Sequence, residues 1–175
     1  LPVENFLHIP EGLGYEAAAM ATDAVNTNWH CMKERAKVNP HDQVLLIGAG
    51  GGVGIHGVQV AKAFGARVIA MDVSDEKLEL ARQWGADEVI HVKKEKDLVA
   101  AVKKLTDGRG VDAAVDYVGH AQTFQVAYDS LTTSGRAVVI GVGKGDIVVP
   151  TRPLMLTEKT ITGSRHSTRT ELIET

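Results

Sequence analysis

Asp23 stands in "AMATDAVNT", residues 19–27, an acid inside a run of small apolar residues that reads as a buried helix. Taking an ionised carboxylate out of water is costly unless a partner compensates it, so the position poses the question of what Asp23 pairs with. The richest stretch for chemistry is "LLIGAGGGVGIHG", residues 45–57. A glycine-rich turn between a strand and a helix lets the backbone approach a pyrophosphate. The helix N-terminus then offers free N–H groups and the positive end of its dipole. The strict spacing G-x-G-x-x-G occurs only at Gly52, Gly54 and Gly57, too deep in the helix, whereas Ala49-x-Gly51-x-x-Gly54 falls on the turn. Asp72 lies about twenty residues on, where a carboxylate accepts hydrogen bonds from the adenosine ribose hydroxyls. Val73 and Ser74 follow it, with no Arg to hold a 2′-phosphate. The expected ligand is therefore a nicotinamide dinucleotide, NAD rather than NADP.

These residues need elements to hold them, and alternation along the chain supplies them. Short apolar runs at 43–48, 66–72, 87–92, 111–119, 136–143 and 159–164 read as strands. Helical spacing marks 53–65, 74–85, 97–105 and 121–131, with Ser74 as an N-cap and Gly65 and Gly85 as stops. One long helical stretch, about 15–37, precedes the first strand. Buried strands alternating with amphipathic helices imply βαβ crossovers and a parallel sheet. The expected fold is α/β, a Rossmann doubly wound parallel sheet of about six strands with a preceding long helix. Residues 1–37 form a lead-in segment, 43–164 the Rossmann core, and 165–175 the start of a helix that the chain does not finish.

Bulk composition narrows the function classes. The chain has 175 residues, 44% apolar and 23% charged, with a formal net charge of −3. No basic excess points to nucleic acid. No apolar run approaches the ~20 residues that cross a membrane, and "LPVENFLHIPEG" lacks the regions of a signal peptide. The single cysteine, Cys31, excludes an internal disulfide and a multi-cysteine metal site, and a reducing cytoplasm is the expected location. The chain starts without Met and reads as part of a longer protein. Cys31 and His30 read as packed helix residues, and "KKEKD" (93–97) as a solvated charged loop.

Taken together, "ATDAVNTNWHCMKERAKVNPHDQVLLIGAGGGVGIHGVQVAKAFGARVIAMDVSDEKLELARQWGADEVI", "GVDAAVDYVG" and "GRAVVIGVG" resemble the coenzyme domain of medium-chain, zinc-type alcohol dehydrogenases. Thr27-Asn28-Trp29-His30 fills that family's T-x-Y-H step. The resemblance covers nearly the whole chain. It implies that Gly51, Gly52 and Val53 lie at the pyrophosphate, with Ala49 and Gly50 of the same loop also binding the coenzyme, and that Asp72 and Lys77 meet the adenosine ribose. It further implies that Val118 and Gly119, closing strand four, border the ribose and nicotinamide side. Ile140, Gly141 and Val142, closing strand five, would meet the nicotinamide.

The family's third catalytic zinc ligand comes from the lead-in helix, and Asp23 occupies its slot. Thr27, four residues on and on the same helical face, would lie close to the nicotinamide or substrate as the catalytic residue. Zinc would then act as Lewis acid on an alcohol or carbonyl substrate. A catalytic domain outside this chain would supply the other ligands, so the isolated chain should bind coenzyme without turning over substrate. A homo-oligomer joined through the sixth-strand edge is also implied. Two alternatives are a zinc-independent quinone or enoyl reductase of the same superfamily, and a stand-alone dinucleotide-binding module.

Overall fold

The computed structural model describes residues 6–175, so the first five residues of the lead-in segment lie outside the described residues. Six strands form one sheet: β1 (Gln43–Ile47), β2 (Arg67–Asp72), β3 (Glu88–His91), β4 (Val111–Asp116), β5 (Leu131–Val139) and β6 (Thr160–Gly163). Every pairing is parallel and the order is β3-β2-β1-β4-β5-β6. This is the expected Rossmann sheet. Its strand order reverses between β1 and β4, and the crevice outside the carboxyl ends at such a point is where open α/β sheets bind ligands.

The strands read as continuous apolar runs because both their faces are covered. Val44 and Leu46 of β1, with Val68 and Ala70 of β2 and Ala113 and Val115 of β4, pack on one side. That side is roofed by the lead-in helix through Cys31 and Met32 and by α3 (Gly54–Ala63) through Val58, Val60 and Ala61. Ala81 of α4 (Asp75–Gln83) completes it. Leu45, Ile47, Ile69, Met71 and Ala114 point to the opposite side, under α5 (Leu98–Leu105) and α6 (Ala121–Asp129), which contribute Val102, Phe124, Ala127 and Tyr128.

The lead-in helix departs from a regular α-helix. It runs as α1 (Tyr15–Met20), a π turn π1 (Ala21–Val25), α2 (Asn26–His30) and a second π turn π2 (Cys31–Arg35). The alanine run expected to be buried is instead mostly exposed, and burial begins at Ala24. The short α8 (Arg169–Glu174) docks on α2. There His30 Nδ1 donates to the Glu171 carboxylate, 2.6 Å away and buried.

Three local expectations need correction. The helix expected over 121–131 stops at Asp129, and β5 starts at Leu131 instead of 136. The Ser130 carbonyl accepts from Val111 N, which pulls this segment into the sheet early. Ser134, at φ 59°, and Gly135 then carry the irregularity in register beside β4. Ser74 sits at the N-cap of α4 but its side chain makes no capping bond. Between β5 and β6, α7 (Thr151–Thr157) forms with Pro153 in its first turn, where a missing N–H costs nothing.

Candidate functional site

The carboxyl ends of β1, β2, β4 and β5 converge around the glycine loop. Gly48 leaves β1 at φ +77°, a left-handed conformation that glycine adopts without strain. A Cβ there would come within 2.9 Å of Val118 Cγ2, so the ends of β1 and β4 are in contact. Gly54 opens α3, and a Cβ on it would collide with the Gly48 carbonyl and lie 3.0 Å from Ala49 C. This assigns the close helix–strand approach to Gly54 and supports the register through Ala49, Gly51 and Gly54. Ala49 is buried, Gly50, Gly51 and Val53 are half-buried, and Gly52 is exposed. A Cβ at Gly52 would meet nothing within 4 Å, so this part of the loop is open to a ligand.

Asp72 closes β2 and is only 5% exposed. Its Oδ2 accepts from Gly50 N at 2.9 Å and its Oδ1 from Val73 N at 2.7 Å. It is therefore not a solvated helix-start residue. It braces the glycine loop, and each oxygen keeps a further lone pair for a hydroxyl. Lys77 lies on α4 with its stem over Gly50, where a Cβ would collide with it, and its side chain is exposed.

Val118, Gly119, Ile140, Gly141 and Val142 all lie just past their strand ends rather than within them. Asp116, fully buried, gathers four of the five. Its Oδ1 accepts from Val118 N and Gly119 N at 2.8 and 3.1 Å, and its Oδ2 from the Thr123 hydroxyl at 2.8 Å. Its backbone carbonyl accepts from Ile140 N and Gly141 N. Gly119 and Gly141 meet backbone to backbone, each leaving no room for a Cβ. Val142 is fully exposed.

Asp23 and Thr27 share one face of the lead-in helix. The Thr27 hydroxyl, buried, donates to Asp23 Oδ1 at a long 3.3 Å, and the Asp23 carboxylate is exposed. Among the described residues no three His, Cys, Asp or Glu side chains gather as a metal centre. Cys31, one turn beyond Thr27, is wholly buried, and burial pushes its thiol pKa up to about 12. It is a packed thiol, as its position in the sequence suggests.

Three participants escape the sequence reading: Asp116, Asn28 and Tyr117. Asn28 is fully buried; its amide donates to the Ala24 and Val53 carbonyls, both at 2.8 Å, and its Oδ1 accepts from the Tyr117 hydroxyl at 2.6 Å. Burial raises the Tyr117 pKa well above its ordinary value, which keeps that hydroxyl a donor. Asp116 did carry a signal, an acid in an apolar strand, the same one that drew attention to Asp23. Asn28 and Tyr117 are 89 positions apart and carried none.

A buried carboxylate under a glycine loop, at the switch point of a parallel sheet, defines a dinucleotide-binding α/β domain. Residues 52–175 match the zinc-binding dehydrogenase family model, and the chain belongs to that family, as a coenzyme-binding domain of the medium-chain alcohol dehydrogenase type. It is 33% identical over 150 residues to an NAD-dependent alcohol dehydrogenase of Saccharolobus solfataricus, covering 85% of this chain and 42% of that protein. A solved NAD-dependent alcohol dehydrogenase superposes with TM-score 0.90 at 32% identity, over 99% of this chain and 50% of that one. The acetophenone reductase of Geotrichum candidum, solved in complex with NAD, gives TM-score 0.85 at 35% identity, over 98% and 47%. The chain thus spans half or less of the length of these relatives. Among the described residues no helix is long and apolar enough to cross a membrane.

Proposed function

We propose that this chain is the NAD-holding part of a zinc-dependent alcohol dehydrogenase, and that it contributes Asp23 and Thr27 to the catalytic cleft. The observation that carries the reading is Asp72 bonded to Gly50 N at 2.9 Å. It joins the ribose acceptor to the pyrophosphate loop in one rigid unit. The N–H groups of Gly52 and Val53 at the start of α3 suit the pyrophosphate, beside Gly51, whose N–H is turned back to the Gly48 carbonyl at 3.1 Å. Lys77, lying over Gly50, reaches the same end of the coenzyme. A second negative group on the ribose would face the Asp72 carboxylate, which favours NAD over NADP.

The residues present also fit a metal, in part. Asp23 is exposed and makes one long hydrogen bond, so its carboxylate is free to bind a cation. It would be this chain's one ligand, with the others supplied from outside the chain. A bound zinc ion would supply a Lewis acid at the substrate oxygen, and bound NAD the hydride acceptor. The chain's own residues orient and shield. Val118, Gly119, Ile140 and Gly141, fixed by Asp116, wall the nicotinamide side. Thr27, bonded to Asp23, lies where the substrate carbon and the nicotinamide would meet.

Isothermal titration tests the coenzyme half. NAD should bind this chain more tightly than NADPH by about tenfold, roughly 1.4 kcal/mol. Equal or tighter NADPH binding would overturn the NAD assignment. The metal half is tested in the full-length protein, where Asp23→Ala should lower both bound zinc and alcohol oxidation. Full zinc occupancy in that variant would remove Asp23 from the ligand set.

A further inference from the structure

We propose that Asn28 is a positioning residue that braces three segments of the site against one another: the turn bearing Asp23, the glycine loop and the end of β4. The inference rests on the functional reading above and adds a residue to it. The geometry is fully determined. The Ala24 and Val53 carbonyls can only accept, so the Asn28 amide nitrogen must face them and spend both its protons there. Its oxygen is then turned to Tyr117, whose hydroxyl donates at 2.6 Å.

Each partner belongs to a different part of the site. Ala24 lies in π1, next to Asp23. Val53 is the N-cap of α3, and its carbonyl also accepts the helical bond from Gly57 N at 3.2 Å. Tyr117 immediately precedes Val118 and Gly119. The chain makes room for this contact: a Cβ on Gly57 would collide with the Tyr117 hydroxyl and sit 2.9 Å from Asn28 Oδ1. Asn28 is fully buried, with both amide protons spent and its oxygen accepting one bond. It fixes how far the Asp23–Thr27 face stands from the coenzyme loop, and it carries ordering of that loop into π1.

Hydrogen exchange tests this, with amides followed in 21–25 and 50–57 for the wild-type chain, Asn28→Ala and Tyr117→Phe, with and without NAD. Without ligand, Asn28→Ala should quicken exchange in both stretches by about tenfold while the β1 and β2 amides hold theirs. Quickening confined to 21–25 would make Asn28 an ordinary helix residue and overturn the brace. With NAD, exchange in 21–25 should slow in the wild type. Asn28→Ala should lose that slowing at an NAD concentration that calorimetry shows to saturate the variant. Slowing that survives in Asn28→Ala overturns the proposal.

If the wild type binds no NAD, the functional reading falls, and the unliganded exchange still decides the brace. Should Asn28→Ala fail to fold, Tyr117→Phe removes one of the three bonds and keeps the ring. It should produce the same pattern at smaller amplitude, and an unchanged profile there overturns the brace.

Discussion

Three acids divide the labour at the residue scale, and burial separates them. Asp72 and Asp116 are buried and serve backbone N–H groups, while Asp23 is exposed and nearly unbonded. Asp72→Ala should therefore do two things at once. It orphans Gly50 N and Val73 N, costing about 1–3 kcal/mol in urea unfolding, and it weakens NAD binding in calorimetry by about tenfold or more. Asp116→Ala strands the N–H groups of Val118 and Gly119, while the Thr123 hydroxyl keeps the His120 carbonyl at 2.9 Å, and should cost about 2 kcal/mol or more by the same measure. Gly54→Ala forces a methyl against the Gly48 carbonyl and should cost about 1–3 kcal/mol. The glycine loop and Asp72 were legible in the sequence because one βαβ unit fixes their spacing along the chain. Asp23 drew attention as a buried acid and is in fact exposed, since burial is decided by elements far from it in sequence. Asn28 had no local pattern at all; its meaning lies in Val53 and Tyr117, brought to it by the fold.

At the scale of elements, strands and helices of the core were readable because continuous apolar runs and helical stripes mark two-sided burial. The start of β5 was not, because Leu131 continues the apolar spacing of α6 and only the bond from Val111 N recruits the segment to the sheet. The docking of α8 on α2 was equally hidden, with His30 and Glu171 separated by 141 positions. Burial alone would raise the Glu171 pKa. Bonds from the Thr168 backbone, His30 and the Thr168 hydroxyl outweigh it and bring the value from 4.5 down to about 2. A depressed carboxylate adds stability that is complete above its unfolded value, near 4.5, and is lost as pH falls through about 2. Urea unfolding across that acid range should show wild-type stability declining. Glu171→Gln should be less stable at neutral pH and should flatten the decline.

At the scale of the whole molecule, β6 closes one side of the sheet and pairs only with β5 among the described strands. Ile161 on it, with Met155 and Leu156 of α7, presents exposed apolar surface beside an open edge, and such an edge invites a further strand. The full-length protein should sediment as a dimer, and Ile161→Asp should shift it toward monomer without lowering NAD affinity. The lead-in helix has a different bearing on the whole. Each π turn is an α-helix carrying one surplus residue, and π1 is the turn that holds Asp23. Deleting one residue there would restore an unbroken α-helix with its hydrogen bonds intact, and because the widened turn absorbs the surplus residue, the helix on either side would keep its facing. A lineage could thus gain or discard the side chain offered to a metal through a single-codon change, leaving the coenzyme cradle untouched.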